Sequence, residues 1–257
     1  MTIQDIANAI EAVAPRELQE SYDNAGLQCG DPRLEVSRVL TCLDVTESVI
    51  EEAHRRQCQL VVAHHPLLFH GVKCIDPTRD YISRTLLAAI RYGIGIYAAH
   101  TNLDRARGGI NDTLAAHLGL TEVQPMSDCG VWGRLPQPMT AEQLLSHISQ
   151  RLGRIPLRYN AEAFSSKASL STLALCGGAG GEFIAEAEQL HVDAFLTGEI
   201  RYHDYFGHPQ LLLIEGGHFE TEQIAPALLS AIITEAVGGV ECLVAEAHQN
   251  PCGWWQA

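Results

Sequence analysis

VLTCLDVTESVIEEAHRRQCQLVVAHH, running from Val39 to His65, is the stretch on which the fold is decided. Arg38–Asp44 reads as a strand, Glu47–Arg56 as a helix and Gln59–Ala63 as a buried strand. A second segment, LALCGGAGGEFIAEAEQLHVDAFLTGE from Leu173 to Glu199, aligns with it without gaps. Cys42 meets Cys176, Ile50 meets Ile184, Ala53 meets Ala187, Val62 meets Leu196, and His65 meets Glu199. Both segments end in a polar pair, His64-His65 in one and Gly198-Glu199 in the other. After a spacer and a further strand, each leads to a histidine with an acid four residues on: His100 with Asp104, and His218 with Glu222. This internal repeat predicts an α/β protein of two related α/β halves facing each other, with the polar strand ends and a metal site between them.

Outward from the repeat, helix and strand patterns alternate. Ile3–Ala14 has helical spacing and stops before Pro15. Thr78–Tyr92 and Gly109–Leu118 read as helices around a strand at Gly95–Ala99, and Ala141–Leu152 as a helix before a strand at Ser169–Cys176. Met126–Pro138 is rich in Gly and Pro and is expected to mark the seam, giving halves 1–125 and 126–257.

Composition narrows the function classes. With 46% apolar and 19% charged residues the chain has material for a buried core. The longest apolar runs, such as Leu60–Ala63 and Leu211–Ile214, are too short to span a bilayer, and the N-terminus lacks the pattern of a secretory signal. A cytoplasmic location is expected. The 17 basic against 31 acidic residues give a net charge of −14, which disfavours nonspecific nucleic-acid binding. Eight scattered cysteines form no CxxC pair, so zinc-ribbon and thioredoxin readings fail and reduced thiols are expected.

The candidate chemistry lies at strand ends. His64 and His65 follow Leu60–Ala63 directly, and Pro66 holds His65 extended; in open α/β sheets ligands bind at that end. Adjacent strand residues point to opposite sides, so two rings there would serve two ions, or one ion if the chain bends sharply. His218 and Glu222 follow a strand and the Gly216-Gly217 turn, and share one helical face about 5–6 Å apart at Cβ. Asp104, just past another strand end, offers a hard oxygen ligand. His100, Glu199 and His203 are candidates for proton transfer or for supporting the ligands. Against each stands an ordinary structural role: a backbone-satisfied histidine, a turn aspartate, a solvated helix face. Two divalent ions are expected, of Zn, Fe, Mn, Co or Ni, and such a site activates water and polarises a carbonyl, imine or phosphoryl group, so hydrolysis is the expected chemistry. Gly177–Gly181 reads as a strand-to-helix turn, with anion binding by its N–H groups as the alternative.

Tyr22-Asp-Asn-Ala-Gly-Leu-Gln28, Ala63-His-His-Pro-Leu-Leu-Phe69, Ala99-His-Thr-Asn-Leu-Asp104, Thr197-Gly-Glu-Ile-Arg-Tyr-His203 and Gly217-His-Phe-Glu-Thr-Glu222 resemble the Nif-three-like family, also called the GTP cyclohydrolase I type 2 homologue family. The resemblance covers nearly the whole chain in order, with Tyr22 where the family often has Trp. It implies a two-lobed α/β subunit assembled as a toroidal homohexamer with a dinuclear metal site inside the ring. It places the ligands at His64, His65, Asp104, His218 and Glu222, with Glu222 as the expected bridge, and it implies hydrolytic opening of the imidazole ring of GTP. Three functions follow as expectations: a hydrolase acting on a nucleotide-like or heterocyclic small substrate, GTP among them; a metal-binding or metal-delivery protein; and a hexameric scaffold or regulator. The tail from Pro251 to Ala257 carries two tryptophans, which pack either on a neighbouring subunit or on their own.

Overall fold

The computed structural model describes residues 1–127, 129–166, 169–253 and 255. Its strands, in chain order, are β1 (Gly26–Cys29), β2 (Arg38–Cys42), β3 (Leu60–Ala63), β4 (Gly95–Ala98), β5 (Thr121–Pro125) and β6 (Val131–Met139). They continue with β7 (Arg158–Tyr159), β8 (Leu170–Cys176), β9 (Ala194–Thr197), β10 (Leu212–Glu215) and β11 (Glu241–Val244). The helices are α1 (Ile3–Val13), α2 (Glu47–Arg55), α3 (Tyr81–Tyr92), α4 (Thr101–Arg105) and α5 (Ile110–Leu118). After them come α6 (Ala141–Arg151), α7 (Ala161–Ser166), α8 (Ile184–Gln189), α9 (His218–Glu222) and α10 (Ala225–Ala236).

Two compact units result. The first comprises residues 1–107 with 225–257, and the second residues 108–224. This differs from a division at 125/126: α10 and β11 return to the first sheet, where β11 pairs in parallel with β2, Arg38 opposite Glu241 and Thr41 opposite Val244. Met126–Pro138 lies inside the second unit, mostly as β6. Its proline and glycine sit where β6 runs beside β5 and β8 with a register shift, and they do not mark a linker.

The first unit's sheet has the order β1-β4-β3-β2-β11 and the second's β5-β6-β8-β9-β10-β7. The repeat is visible in the ladders themselves. Val39 opposite Leu60 corresponds to Leu173 opposite Ala194, and Cys42 opposite Ala63 corresponds to Cys176 opposite Thr197, so the gapless sequence alignment also aligns the hydrogen-bond register. Both central strands take a third parallel partner, β4 and β10, and both third strands carry an antiparallel neighbour, β1 and β7.

Parallel strands are buried on both faces, which is why these read as continuous apolar runs. In the second unit Leu173, Leu175, Leu196, Leu212 and Ile214 face one core, while Ala174, Cys176, Phe195 and Leu213 face another. In the first, Leu40, Cys42, Val61, Ala63 and Ile96 pack with Val49 and Ile50 of α2. Local signals set the helix ends. Thr2 and Asp5 form a capping box on α1. Asp80 caps α3 through Ser83 N, and Asp76 holds Thr78 in a turn, so α3 begins three residues later than its apolar pattern suggests. All eight cysteines are thiols. Among the described residues no helix is long and apolar enough to cross a membrane. Of the tryptophan tail, Trp254, Gln256 and Ala257 lie outside the described residues, and Trp255 is 92% exposed.

Candidate metal centre

The first unit gathers its donors where β2, β3 and β4 end. β3 stops at Ala63, and the chain bends through His64 and His65 instead of continuing as strand. Strand alternation therefore does not separate the two rings, whose centroids lie 5.0 Å apart. The chain takes the sharp bend, the alternative under which both rings could serve one ion, so strand alternation is not what argues for two ions. His100 joins them, its ring 5.3 Å from that of His64 and 5.5 Å from that of His65. One donor atom from each of the three lies within 4.8 Å of the others.

Each imidazole is held from behind. His64 Nδ1 lies 2.8 Å from the carbonyl oxygen of Ala99, which only accepts, so Nδ1 carries the hydrogen and Nε2 carries the lone pair. His65 Nδ1 donates to Asp44 Oδ1 at 2.8 Å, and His100 Nδ1 donates to Asp23 Oδ1 at 2.7 Å. Asp23 also accepts from the backbone N–H and the hydroxyl of Thr101. Burial would push the Asp23 carboxyl up, but the hydrogen bonds from His100 and Thr101 outweigh it and hold the group at about 2. A nitrogen ligand whose second nitrogen is fixed on a carboxylate or carbonyl is the usual arrangement around protein-bound metals.

Asp104, on α4, brings Oδ1 to 3.4 Å from His64 Nε2. That is longer than the roughly 2.7–2.9 Å of a charge-assisted hydrogen bond, and it suits two donors converging on a cation. The surrounding loops are clasped together. Asn24 Nδ2 donates to Leu68 O at 2.7 Å, and Gln28 Oε1 accepts from Leu68 N at 3.1 Å.

The second unit gathers its donors where β8, β9 and β10 end. After β10, Gly217 takes φ +82° and α9 starts at His218. His218 Nδ1 donates to Glu199 Oε1 at 2.7 Å, and Nε2 lies 3.1 Å from Glu222 Oε2 one turn along. Gly178, at φ +62°, lets the loop after β8 approach this pair. A Cβ there would collide with the Glu222 carboxylate and lie 3.4 Å from His218 Nε2. Glu222 is buried, and an acidic side chain is rarely buried without a partner; here His218 Nε2 lies beside it.

The glycine-rich turn Gly177–Gly181 connects β8 to α8, as its composition suggests. Its alternative role as an anion cradle is not supported by the bonding: Gly177 N donates to Asn111 Oδ1, Gly178 N to Thr221 Oγ1, and Gly180 N to Thr197 Oγ1. His203 is in none of the donor clusters found among the described residues; it is exposed in the 3₁₀ turn Tyr202–Tyr205, its ring 5.2 Å from that of Tyr202. The supporting carboxylates Asp44 and Asp23 went unnoticed in the sequence, although Asp23 stands inside the motif Tyr22–Gln28 and Asp44 lies two residues past the end of β2.

The chemistry of the donors fits a transition metal. Within the first unit three imidazoles and a carboxylate lie together, and within the second an imidazole and a carboxylate; each is a nitrogen–oxygen set suited to Zn, Fe, Mn, Co or Ni.

A family model described as Duf34/NIF3 (NGG1p interacting factor 3) matches residues 1–251. A protein of Clostridium perfringens named GTP cyclohydrolase 1 type 2 homolog is 34% identical, the match covering 98% of each chain. One of the same name from Clostridium acetobutylicum is 32% identical over 90% of this chain and 88% of its own. The crystal structure of a Bacillus cereus protein related to NIF3 superposes with a TM-score of 0.92 at 22% identity, covering 99% of both chains, a likeness of fold. With the matched model spanning nearly its whole length, the chain belongs to the Duf34/NIF3 family.

Proposed function

We propose that the protein is a metal-dependent hydrolase of a nucleotide-like or heterocyclic small substrate, with His64, His65, Asp104, His218 and Glu222 as ligands of two divalent ions. The observation that carries this reading is the shared wiring of the histidines. His64, His65 and His218 each spend Nδ1 on a carbonyl or carboxylate, which leaves Nε2 as the donor atom at the end of a parallel strand. Bound divalent ions would supply Lewis acidity toward a carbonyl, imine or phosphoryl group. The chain's own contribution is orientation and proton handling. Asp44 and Asp23 fix the tautomers of His65 and His100, and Glu222 adds a buried negative charge that offsets the ions. Glu199, bonded to His218, and the exposed His203 are assigned to proton transfer, as is the His100–Asp23 pair.

The names of the relatives make GTP the first substrate to test. Protein purified without added metal or chelator is to be analysed for transition metal per subunit, and the same sample assayed for formate release from GTP. Two equivalents of metal, with turnover lost in His218→Ala and His64→Ala, support the proposal. Metal without turnover on GTP moves it to another heterocycle or to metal delivery, and a chain that neither holds nor takes up metal refutes it. The resemblance also implies a homohexamer, which light scattering on the full chain tests directly.

A further inference from the structure

The hairpin between β5 and β6 is closed by Met126 N donating to Gly130 O at 3.0 Å. Cys129, half-buried, lies in this hairpin. β6 runs antiparallel to β8 with Val131 opposite Leu175, which brings the hairpin loop beside Cys176 at the end of β8. The two sulfurs are 3.7 Å apart. The approach depends on Gly130, at φ +92°, since a Cβ there would meet Leu175 O and lie 3.2 Å from Cys176 Cβ.

Both sides of the loop are anchored. Ser127 Oγ bonds Glu186 Oε1 of α8 at 2.7 Å, and Asn111 Nδ2 of α5 donates to Cys129 Sγ at 3.6 Å. Cys129 Sγ is the acceptor from both Asn111 and the Cys176 thiol, and Cys129 is the more accessible of the two cysteines.

We propose that Cys129 and Cys176 form a redox-active dithiol that closes to a disulfide on reaction with a hydroperoxide, and that closure loosens the His218–Glu222 pair. In the first step, with hydrogen peroxide as the hydroperoxide, Cys129 sulfur attacks one oxygen: an S–O bond forms, the O–O bond breaks and one water leaves with the thiol proton. In the second, Cys176 sulfur displaces the sulfenic oxygen as a second water, and the S–S bond forms. The two thiols lose two electrons and the peroxide gains them. A disulfide needs about 2.05 Å between sulfurs, so closure moves them about 1.7 Å nearer.

The movement reaches the donors through the backbone. Cys176 is followed by Gly177, whose N–H is held by Asn111 Oδ1 at 2.9 Å, and by Gly178, whose N–H is held by Thr221 Oγ1 at 3.1 Å and which leaves no room for a Cβ beside Glu222 and His218. Asn111 thus touches both the dithiol and the loop. This second half of the proposal rests on the metal-ligand reading above; the disulfide does not.

The test is to expose the full-length metal-loaded chain to hydrogen peroxide, alkylate the remaining thiols and map them by mass spectrometry, while measuring metal release to a chelator. Two of the eight thiols should be lost together, as a peptide pair linking Cys129 to Cys176 that dithiothreitol separates. Metal affinity should then fall by about tenfold or more, the size expected when the support of a ligand is disturbed. In Cys129→Ser or Cys129→Ala, Cys176 should remain a thiol and peroxide should leave metal release unchanged. No linked pair, under conditions that oxidise the exposed Cys74 or Cys252, overturns the dithiol. A linked pair with unchanged metal release overturns the coupling. A chain that holds no metal in either state removes the ligand assignment and the coupling with it, while the peptide map still decides the dithiol.

Discussion

His65 can offer Nε2 to a metal only in the tautomer that protonates Nδ1, and Asp44 selects that tautomer by accepting from Nδ1 at 2.8 Å. Asp44→Ala removes this constraint without touching the donor atom. Metal affinity should drop by about 10- to 100-fold, the cost typical of losing such a partner, while the thermal stability of the metal-free chain stays nearly the same. Asp44→Asn keeps an acceptor oxygen and should lose less. Competition against a chelator measures both, and equal affinity in all three proteins would show that His65 is not a ligand. Gly178 permits a second test at this scale. Gly178→Ala adds a Cβ at φ +62° against the Glu222 carboxylate, and both effects are unfavourable. The expected outcome is a loss of about 1–3 kcal/mol in unfolding free energy together with weakened metal binding. Denaturant titration of the metal-free protein separates the two effects.

At the level of elements, Glu52 links α2 to the segment after β11. Its carboxylate accepts from Glu246 N at 3.0 Å, Ala247 N at 2.8 Å and Arg56 Nη1 at 2.7 Å, and its side chain is buried. Burial would raise its pKa, yet the two backbone N–H groups and Arg56 prevail and hold it below the ordinary glutamate range. A depressed folded value means the stabilisation is complete above the unfolded pKa and is lost as pH falls through the folded one. Glu52→Gln should therefore cost about 1–3 kcal/mol near neutral pH, and its gap from the parent protein should narrow steadily on acidification. A gap that is constant with pH would show that the charge is not what matters there. The same element scale shows what was legible in the sequence. The repeat over 39–65 and 173–199 was readable because matched apolar runs impose the same ladder register, and the histidine doublet was readable because it ends such a run. Asp23 and Asp44 were not, because a carboxylate 77 or 21 residues from its histidine leaves no local pattern. The end of β3 at Ala63 was readable too, whereas the bend at His64 was left as one of two alternatives, since apolar periodicity says nothing of the backbone past the last strand residue.

For the whole molecule, the decisive feature is that one unit is continuous in sequence and the other is not. β11 and α10 return from the C-terminus to the first unit, a non-local pairing that composition cannot reveal. Residues 108–224 carry both of their own cores: Leu144, Ile148 and Leu173 on one sheet face, Ile184, Phe195 and Leu213 on the other. That segment alone should therefore fold, with a cooperative thermal transition in circular dichroism. Residues 1–107 alone lack β11 along the edge of β2, and also lack α10, whose Leu229, Ile232 and Ile233 are buried. An unpaired strand edge beside an uncovered apolar face favours association over folding, so this fragment should aggregate. Linking 225–257 to it through a short flexible connector in place of the second unit should restore a soluble, cooperatively folding protein, because closing such a loop costs little that the buried strand and helix do not offset. If residues 1–107 fold cooperatively as a monomer without that addition, the C-terminal return is dispensable to the first unit. If 108–224 fails to fold while the reconnected first unit succeeds, the dependence runs the other way, and the inserted unit needs its host to hold its shape.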